Sequence, residues 1–166
     1  WKVAVETRDR PVLLALTRQD VATLDRQRFA SAEGLRRGGY VLSDAEGGKP
    51  ALILIASGSE VGLILAAAER LRESGVAIRC VSLPSWDLFD AQPQSYRDEV
   101  LPPAVKPRLA VELGVSQGWE RYVGDAGAML GIDRFGASAP GEVLLREYGF
   151  TIDNVVARAQ ALLSRV

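Results

Sequence analysis

Ser57-Gly-Ser-Glu60 stands between an apolar run and a helical pattern, so backbone N–H groups and the helix dipole would converge there on an anion. Its spacing is neither that of a P-loop nor that of a Gly-x-Gly-x-x-Gly fingerprint, and a capped helix after a tight turn is the preferred reading. Asp87 and Asp90 lie either side of Leu88-Phe89 in a Pro- and Trp-containing stretch. A metal site or an acid–base pair needs convergent carboxylates in a sheltered pocket; local turn and capping bonds are the simpler role. Glu112 ends a strand pattern, where α/β sheets place ligand sites, yet an ion pair with a nearby arginine has the same signature. Cys80, between apolar neighbours, reads as a small buried hydrophobe. Trp119 and Tyr122 read as packing. Arg18, between Thr17 and Gln19 just past an apolar run, could project a planar fork of donors onto phosphate oxygens. From spacing alone, a surface salt bridge is the favoured role for it.

Composition removes most other chemistries. The 166 residues hold no histidine, one cysteine and one methionine (Met129). Without histidine there is no Ser-His-Asp triad, Cys-His dyad or imidazole shuttle, and one cysteine makes neither a zinc site nor a disulfide framework. Twenty Lys and Arg against 21 Asp and Glu leave a net charge of −1. That balance speaks against a nucleic-acid partner or an anionic membrane surface. The longest apolar run, Ala51–Ala56, is far below the roughly 20 residues that span a bilayer, and no secretory signal opens the chain. The chain begins at Trp1, which suggests either processing or a piece of something longer.

The elements that must position these residues follow from the hydrophobic rhythm. Residues 3–5 read as the end of a helix, and Val12–Leu16 as a strand covered on both faces. The polar stretch 21–37 reads as a connection with some helix. From Gly38 onward, strands are expected at Gly39–Leu42, Ala51–Ala56, Ala77–Ser82, Arg108–Glu112 and Ile132–Phe135. Helices are expected after Ser59, ending near Gly75, and over Tyr96–Leu101. Ser85 to Pro93 reads as irregular, and Trp119–Leu130 as a short broken helix. A further helix is expected to begin at Ser138-Ala-Pro140. Thr151 caps the last helix, whose apolar set Ile152, Val155, Val156, Ala159, Leu162, Leu163 and Val166 is spaced 0, 3, 4, 7, 10, 11, 14. Strands alternating with helices predict an α/β fold of three layers, with a mostly parallel sheet of about five strands. The strand at Gly39–Leu42 has too little chain after it for a crossover helix, so it is placed antiparallel at the edge.

Several segments together resemble the C-terminal region of transketolases. Leu14-Ala-Leu-Thr-Arg-Gln19 is similar to the family's Leu-(Ser/Thr)-Arg-Gln stretch, and Arg37-Gly-Gly-Tyr-Val-Leu42 to its Arg-Gly-Gly-Tyr-Val-Leu strand. Ala56-Ser-Gly-Ser-Glu-Val61 resembles its Ala-Thr-Gly-Ser-Glu-Val turn. Pro84-Ser-Trp-Asp-Leu-Phe-Asp90 with Tyr96-Arg97 and Val100-Leu-Pro102, Phe135-Gly-Ala-Ser-Ala-Pro140, and Gly149-Phe-Thr-Ile-Asp-Asn-Val-Val156 match further motifs in order. The resemblance implies an intact enzyme that moves a two-carbon ketol unit from a ketose phosphate to an aldose phosphate, using thiamine diphosphate and a divalent cation (Mg or Ca). It also implies a cytoplasmic homodimer acting on sugar phosphates in the pentose phosphate pathway. By the same resemblance, residues 1–20 are the tail of a pyrimidine-binding domain, 21–37 a linker, and 38–166 the C-terminal α/β domain. The segment is then expected to be inactive alone, to bind no cofactor, and to serve structure and dimer formation. Only Arg18 carries over as a site residue, as the grip on the sugar phosphate. Asp20, where the family commonly has Asn, adds a negative charge beside it, and Ser57 stands where Thr is usual. The alternatives are an autonomous small-ligand or protein-binding module, or a piece of dihydroxyacetone synthase or 1-deoxyxylulose-5-phosphate synthase.

Overall fold

The computed structural model describes residues 1–165. Its centre is a five-stranded sheet in the order β1-β3-β2-β4-β5, built from β1 (Tyr40–Ser43), β2 (Leu52–Ala56), β3 (Ile78–Ser82), β4 (Arg108–Val111) and β5 (Ala128–Leu130). All pairs are parallel except β1 with β3, so the edge strand is antiparallel, as expected. Side-chain alternation sorts each strand between two cores. Leu52, Leu54 and Ala56 of β2, Cys80 of β3, and Leu109 and Val111 of β4 face α2 (Glu60–Glu73) and α7 (Ile152–Leu163). Ile53, Ile55, Val81 and Ala110 face the opposite way, toward α3 (Trp86–Asp90), α4 (Gln94–Val100) and α5 (Glu120–Val123). Three layers result. Each fully buried Leu or Ile side chain contributes roughly 1.5–3 kcal/mol, which explains why β2, apolar at every position, is the central strand.

The helices on the first face follow their sequence patterns. In α7 the residues at 0 % or near it are Val155, Ala159 and Leu162, and the Thr151 hydroxyl accepts from the Asn154 N–H at 3.3 Å. Val166, placed in the same stripe, lies outside the described residues. Gly75 (φ +81°) ends α2: its N–H reaches the Arg72 carbonyl at 2.8 Å and the Val76 N–H reaches Leu71 at 3.0 Å, the paired bonds of a Schellman stop. At the other end of α2 the expected serine cap is not made. Ser59 has helical backbone angles and its hydroxyl donates to the Glu60 carboxylate at 2.6 Å, so the turn is held instead by the Ser57 and Gly58 carbonyls.

Four expectations are corrected. Val12–Leu16 forms no strand; α1 (Lys2–Glu6) is followed by extended chain with Leu13 92 % exposed, because no neighbouring strand pairs with it. Residues 86–90 are a helix rather than irregular, started by the Ser85 hydroxyl, which accepts from the Leu88 N–H at 3.4 Å. The last strand is Ala128–Leu130, not Ile132–Phe135. Registered on Leu109–Val111, it sends Met129 and Leu130 to opposite cores, whereas Phe135 is fully exposed. The broken helix at Trp119–Leu130 is therefore only the single turn of α5. The helix expected from Ser138 is α6 (Gly141–Glu147), beginning just after Pro140.

The segment before β1 closes the sheet's edge. Leu24 and Phe29 pack on the α2/α7 core, the Ala30 N–H donates to the Leu42 carbonyl at 3.0 Å, and residues 32–37 form a 3-10 turn. Gly38 follows with φ +81°. A β-carbon there would stand 2.3 Å from the Phe89 nitrogen and 2.4 Å from the Ser85 carbonyl oxygen, so the chain passes hard against the start of α3.

Candidate functional site

The strand order places a change of direction at the carboxyl ends of β2 and β4. From β2 the chain crosses through α2 to β3 on one side; from β3 it crosses through α3 and α4 to β4 on the other. In open α/β sheets ligands enter the crevice at such a point. Here it is lined by Ser57, Ser59, Glu60 and Glu112. The Ser57 hydroxyl donates to Glu112 Oε2 at 2.8 Å, and the Leu113 N–H donates to Glu60 Oε2 at 3.3 Å. Glu60 is 6 % exposed. The crevice thus holds its own carboxylates, each bonded to protein donors. Negative charge already occupies the helix terminus, so the geometry opposes the anion site considered from the sequence and supports a structural junction.

Burial pushes the Glu112 carboxyl above its ordinary value near 4.5; the neighbouring Glu60 charge pushes the same way, while the Ser57 hydrogen bond opposes both. A raised folded-state value favours the protonated form. Its contribution to stability is full below about pH 4.5 and is lost as pH rises through the folded value, so at neutral pH ionised Glu112 costs stability. Glu112→Gln retains the acceptor for Ser57 and removes the charge. Melting curves should place this variant about 2–4 °C above wild type at pH 7.5, a gain of about 1 kcal/mol, with the difference closing at pH 4. A gain that persisted at pH 4 would assign the effect to packing.

The other candidates are dispersed. Asp87 is exposed, while Asp90 accepts from Arg121 Nη1 at 2.9 Å and from the Tyr122 hydroxyl at 3.1 Å. The two do not converge, and Asp90 ties α3 to α5 rather than making a local turn bond. Trp119 and Tyr122 are buried, with Trp86 edge-on to Trp119 at 5.2 Å, so they pack as expected. Cys80 is fully buried facing α2, its thiol pushed up to about 12 by desolvation and its sulfur 3.9 Å from the Ile64 carbonyl. It is an inert core residue. Arg18 lies in exposed chain and makes no ion pair among the described residues, so the salt bridge favoured by spacing is not formed. No group of three or more His, Cys, Asp or Glu side chains among the described residues is arranged to hold a metal ion.

Two arginines escaped the sequence reading. Arg79 of β3, its side chain 7 % exposed, clasps both oxygens of Asp44 at 2.8 Å and donates to the Glu99 carbonyl at 2.6 Å. Arg108, the first residue of β4, donates to the carbonyls of Val105, Tyr122, Leu101 and Pro102 at 2.8–3.1 Å. An arginine interrupting an apolar run was the available signal for Arg79.

Residues 38–151 match the family model for the transketolase-like C-terminal domain. A transketolase of Geobacillus stearothermophilus is 57 % identical over 165 residues, which is 99 % of this chain and 25 % of that protein. Among solved structures, the H261F variant of transketolase from Pichia stipitis superposes with a TM-score of 0.88 at 35 % identity, covering 99 % of this chain and 23 % of that one. Another from the same organism, a complex with sedoheptulose 7-phosphate, gives 0.75 at 34 %, covering 83 % and 20 %. The chain spans about a quarter of the length of the curated relatives it matches. No helix of the described residues is long and apolar enough to cross a membrane.

Proposed function

The chain belongs to the transketolase family, whose C-terminal part it matches, and on that premise we propose that it is the structural end of an enzyme that moves a two-carbon ketol unit between sugar phosphates. The observation that carries this reading is identity of 57 % across 99 % of the chain. The catalytic half lies outside it. Among the described residues no three His, Cys, Asp or Glu side chains are grouped to hold a cation. Thiamine diphosphate and its divalent cation belong, in this proposal, to the longer protein, a cytoplasmic homodimer of the pentose phosphate pathway.

Residues 1–20 end the preceding pyrimidine-binding domain, 21–37 link the two, and 38–166 form the C-terminal domain. Supporting the first assignment, Val12, Leu13, Leu14 and Leu16 lie exposed in sequence, an apolar run of the kind that a missing sheet would bury. Arg18, at its end, grips the phosphate of the substrate through charge-assisted hydrogen bonds; the sugar-phosphate complex of the Pichia stipitis enzyme supports that substrate class. The C-terminal domain contributes packing and dimer formation.

Steady-state kinetics of the full-length protein test this. Arg18→Ala should raise KM for xylulose 5-phosphate about 10–100-fold, about the 1.5–3 kcal/mol of a hydrogen bond to a charged group. The 166-residue chain alone should show no turnover. Ketol transfer by that chain would overturn the assignment, and an unchanged KM would remove Arg18 from the site.

A further inference from the structure

At the end of the sheet opposite Glu112, α3, α4 and α5 leave a cavity of about 800 Å³ beside the start of β4. That volume is within the range of small-molecule sites. Four cations line it: Arg97, Lys106, Arg108 and Arg121. Arg121 is neutralised by Asp90 at 2.9 Å. The other three have no carboxylate at ion-pair distance among the described residues. Arg108 directs its donors to carbonyl groups, which satisfy hydrogen bonds but cancel no charge. Arg97 donates through Nη2 to the Gln94 side-chain oxygen at 2.6 Å, and its Nε is buried without an acceptor. Two carboxylates also line the cavity: Asp98 accepts from the Gln94 amide, and Asp125 stands exposed. Leu101 and Val123 form an apolar wall. Four cations against the three carboxylates Asp90, Asp98 and Asp125 leave this concave lining one positive charge in excess, in a chain whose net charge is −1.

We propose that this cavity binds a small phosphate-bearing anion, held by Arg97 and Lys106 on the rim of the Arg108 platform. Arg108 is fixed by its carbonyl contacts and supplies charge, while Arg97 and Lys106 supply donors. Guanidinium and ammonium together suit a phosphate head, which offers several acceptor oxygens. The assignment does not depend on the catalytic reading above, since Arg18 takes no part in it.

Isothermal titration of inorganic pyrophosphate into the 166-residue chain tests the site, with a thermal melt in the same buffer to verify the fold. One site per chain is expected at low salt, weakened at least tenfold in the variant carrying Arg97→Gln and Lys106→Gln, and unaffected by Arg158→Gln on α7, an exposed arginine outside the cavity. Raising the salt to about 0.5 M should weaken it further, as screening requires. If the double variant melts without cooperativity, Lys106→Gln alone replaces it; Lys106 is exposed and free to change, and at least a threefold loss is expected. No saturable binding, or binding that these substitutions leave intact, overturns the proposal.

Discussion

Asp44→Ala should lower the melting temperature by about 6–20 °C, the equivalent of about 3–5 kcal/mol in a domain of this size. The reason is the position of its partner. Arg79 is a charge inside the α3–α5 core, where the flanking β3 residue Val81 is fully buried. Its guanidinium meets the carboxylate with two parallel bonds of 2.8 Å, the fork geometry that compensates desolvation best. Removing Asp44 leaves that charge facing only carbonyls. The pair also joins three distant pieces of chain: the turn after β1, the middle of β3, and the Glu99 and Val100 carbonyls at the end of α4. Replacing both partners, as Asp44→Leu with Arg79→Met, should recover much of the loss, because an apolar pair avoids the desolvation penalty altogether. The two single variants and the double form a cycle that isolates the coupling. An Asp44→Ala protein melting within 2 °C of wild type would show that the pair does not secure the fold.

Gly38→Ala is the second large effect, and it acts through the backbone. At φ +81° an L-residue is strained by about 1–2 kcal/mol. The added methyl would also stand 2.3 Å from the Phe89 nitrogen and 2.4 Å from the Ser85 carbonyl oxygen, atoms that cannot rotate away. Ser85 and Gly38 are themselves joined, the Ser85 N–H donating to the Gly38 carbonyl at 3.0 Å. Forcing them apart adds an overpacking cost of about 1–3 kcal/mol. The melting temperature should fall by about 4–20 °C in total. Gly47→Ala separates the two contributions, since Gly47 has φ +67° but nothing within 4 Å of a β-carbon. It should cost only the strain. Equal losses in the two variants would mean that the contact with α3 relaxes freely.

The elements legible in the sequence were those whose pattern outlasts a single turn. Leu52–Ala56 reads as a central strand because both faces need apolar residues, and α7 reads as a helix because its stripe repeats over three turns. Val12–Leu16 failed for want of a strand to pair with, and two other failures share another cause, brevity. Trp86–Asp90 is five residues between prolines, too short to express a helical period, and Ala128–Leu130 is three residues beside the more apolar Ile132. Tertiary registry with β4 chose between them, and no local signal carries that information. Arg79 and Asp44 lie 35 residues apart, so their pairing follows only from the sheet order. The same holds for Ser57 and Glu112, which meet only because β2 and β4 are neighbours. Arg18 stood out by its place just past an apolar run, its role came from the family motif, and the structure leaves it in open chain.

The buried thiol at Cys80 turns the domain into its own clock. A thiol-specific reagent cannot reach a sulfur enclosed between the sheet and α2, and a group pushed up to about 12 offers almost no thiolate while it stays enclosed. Modification therefore counts openings of the sheet, one molecule at a time. When reclosing outruns the reagent, the rate is set by the open fraction, and so by the free energy of opening under native conditions. With a single cysteine in these 166 residues, no second site confuses the signal.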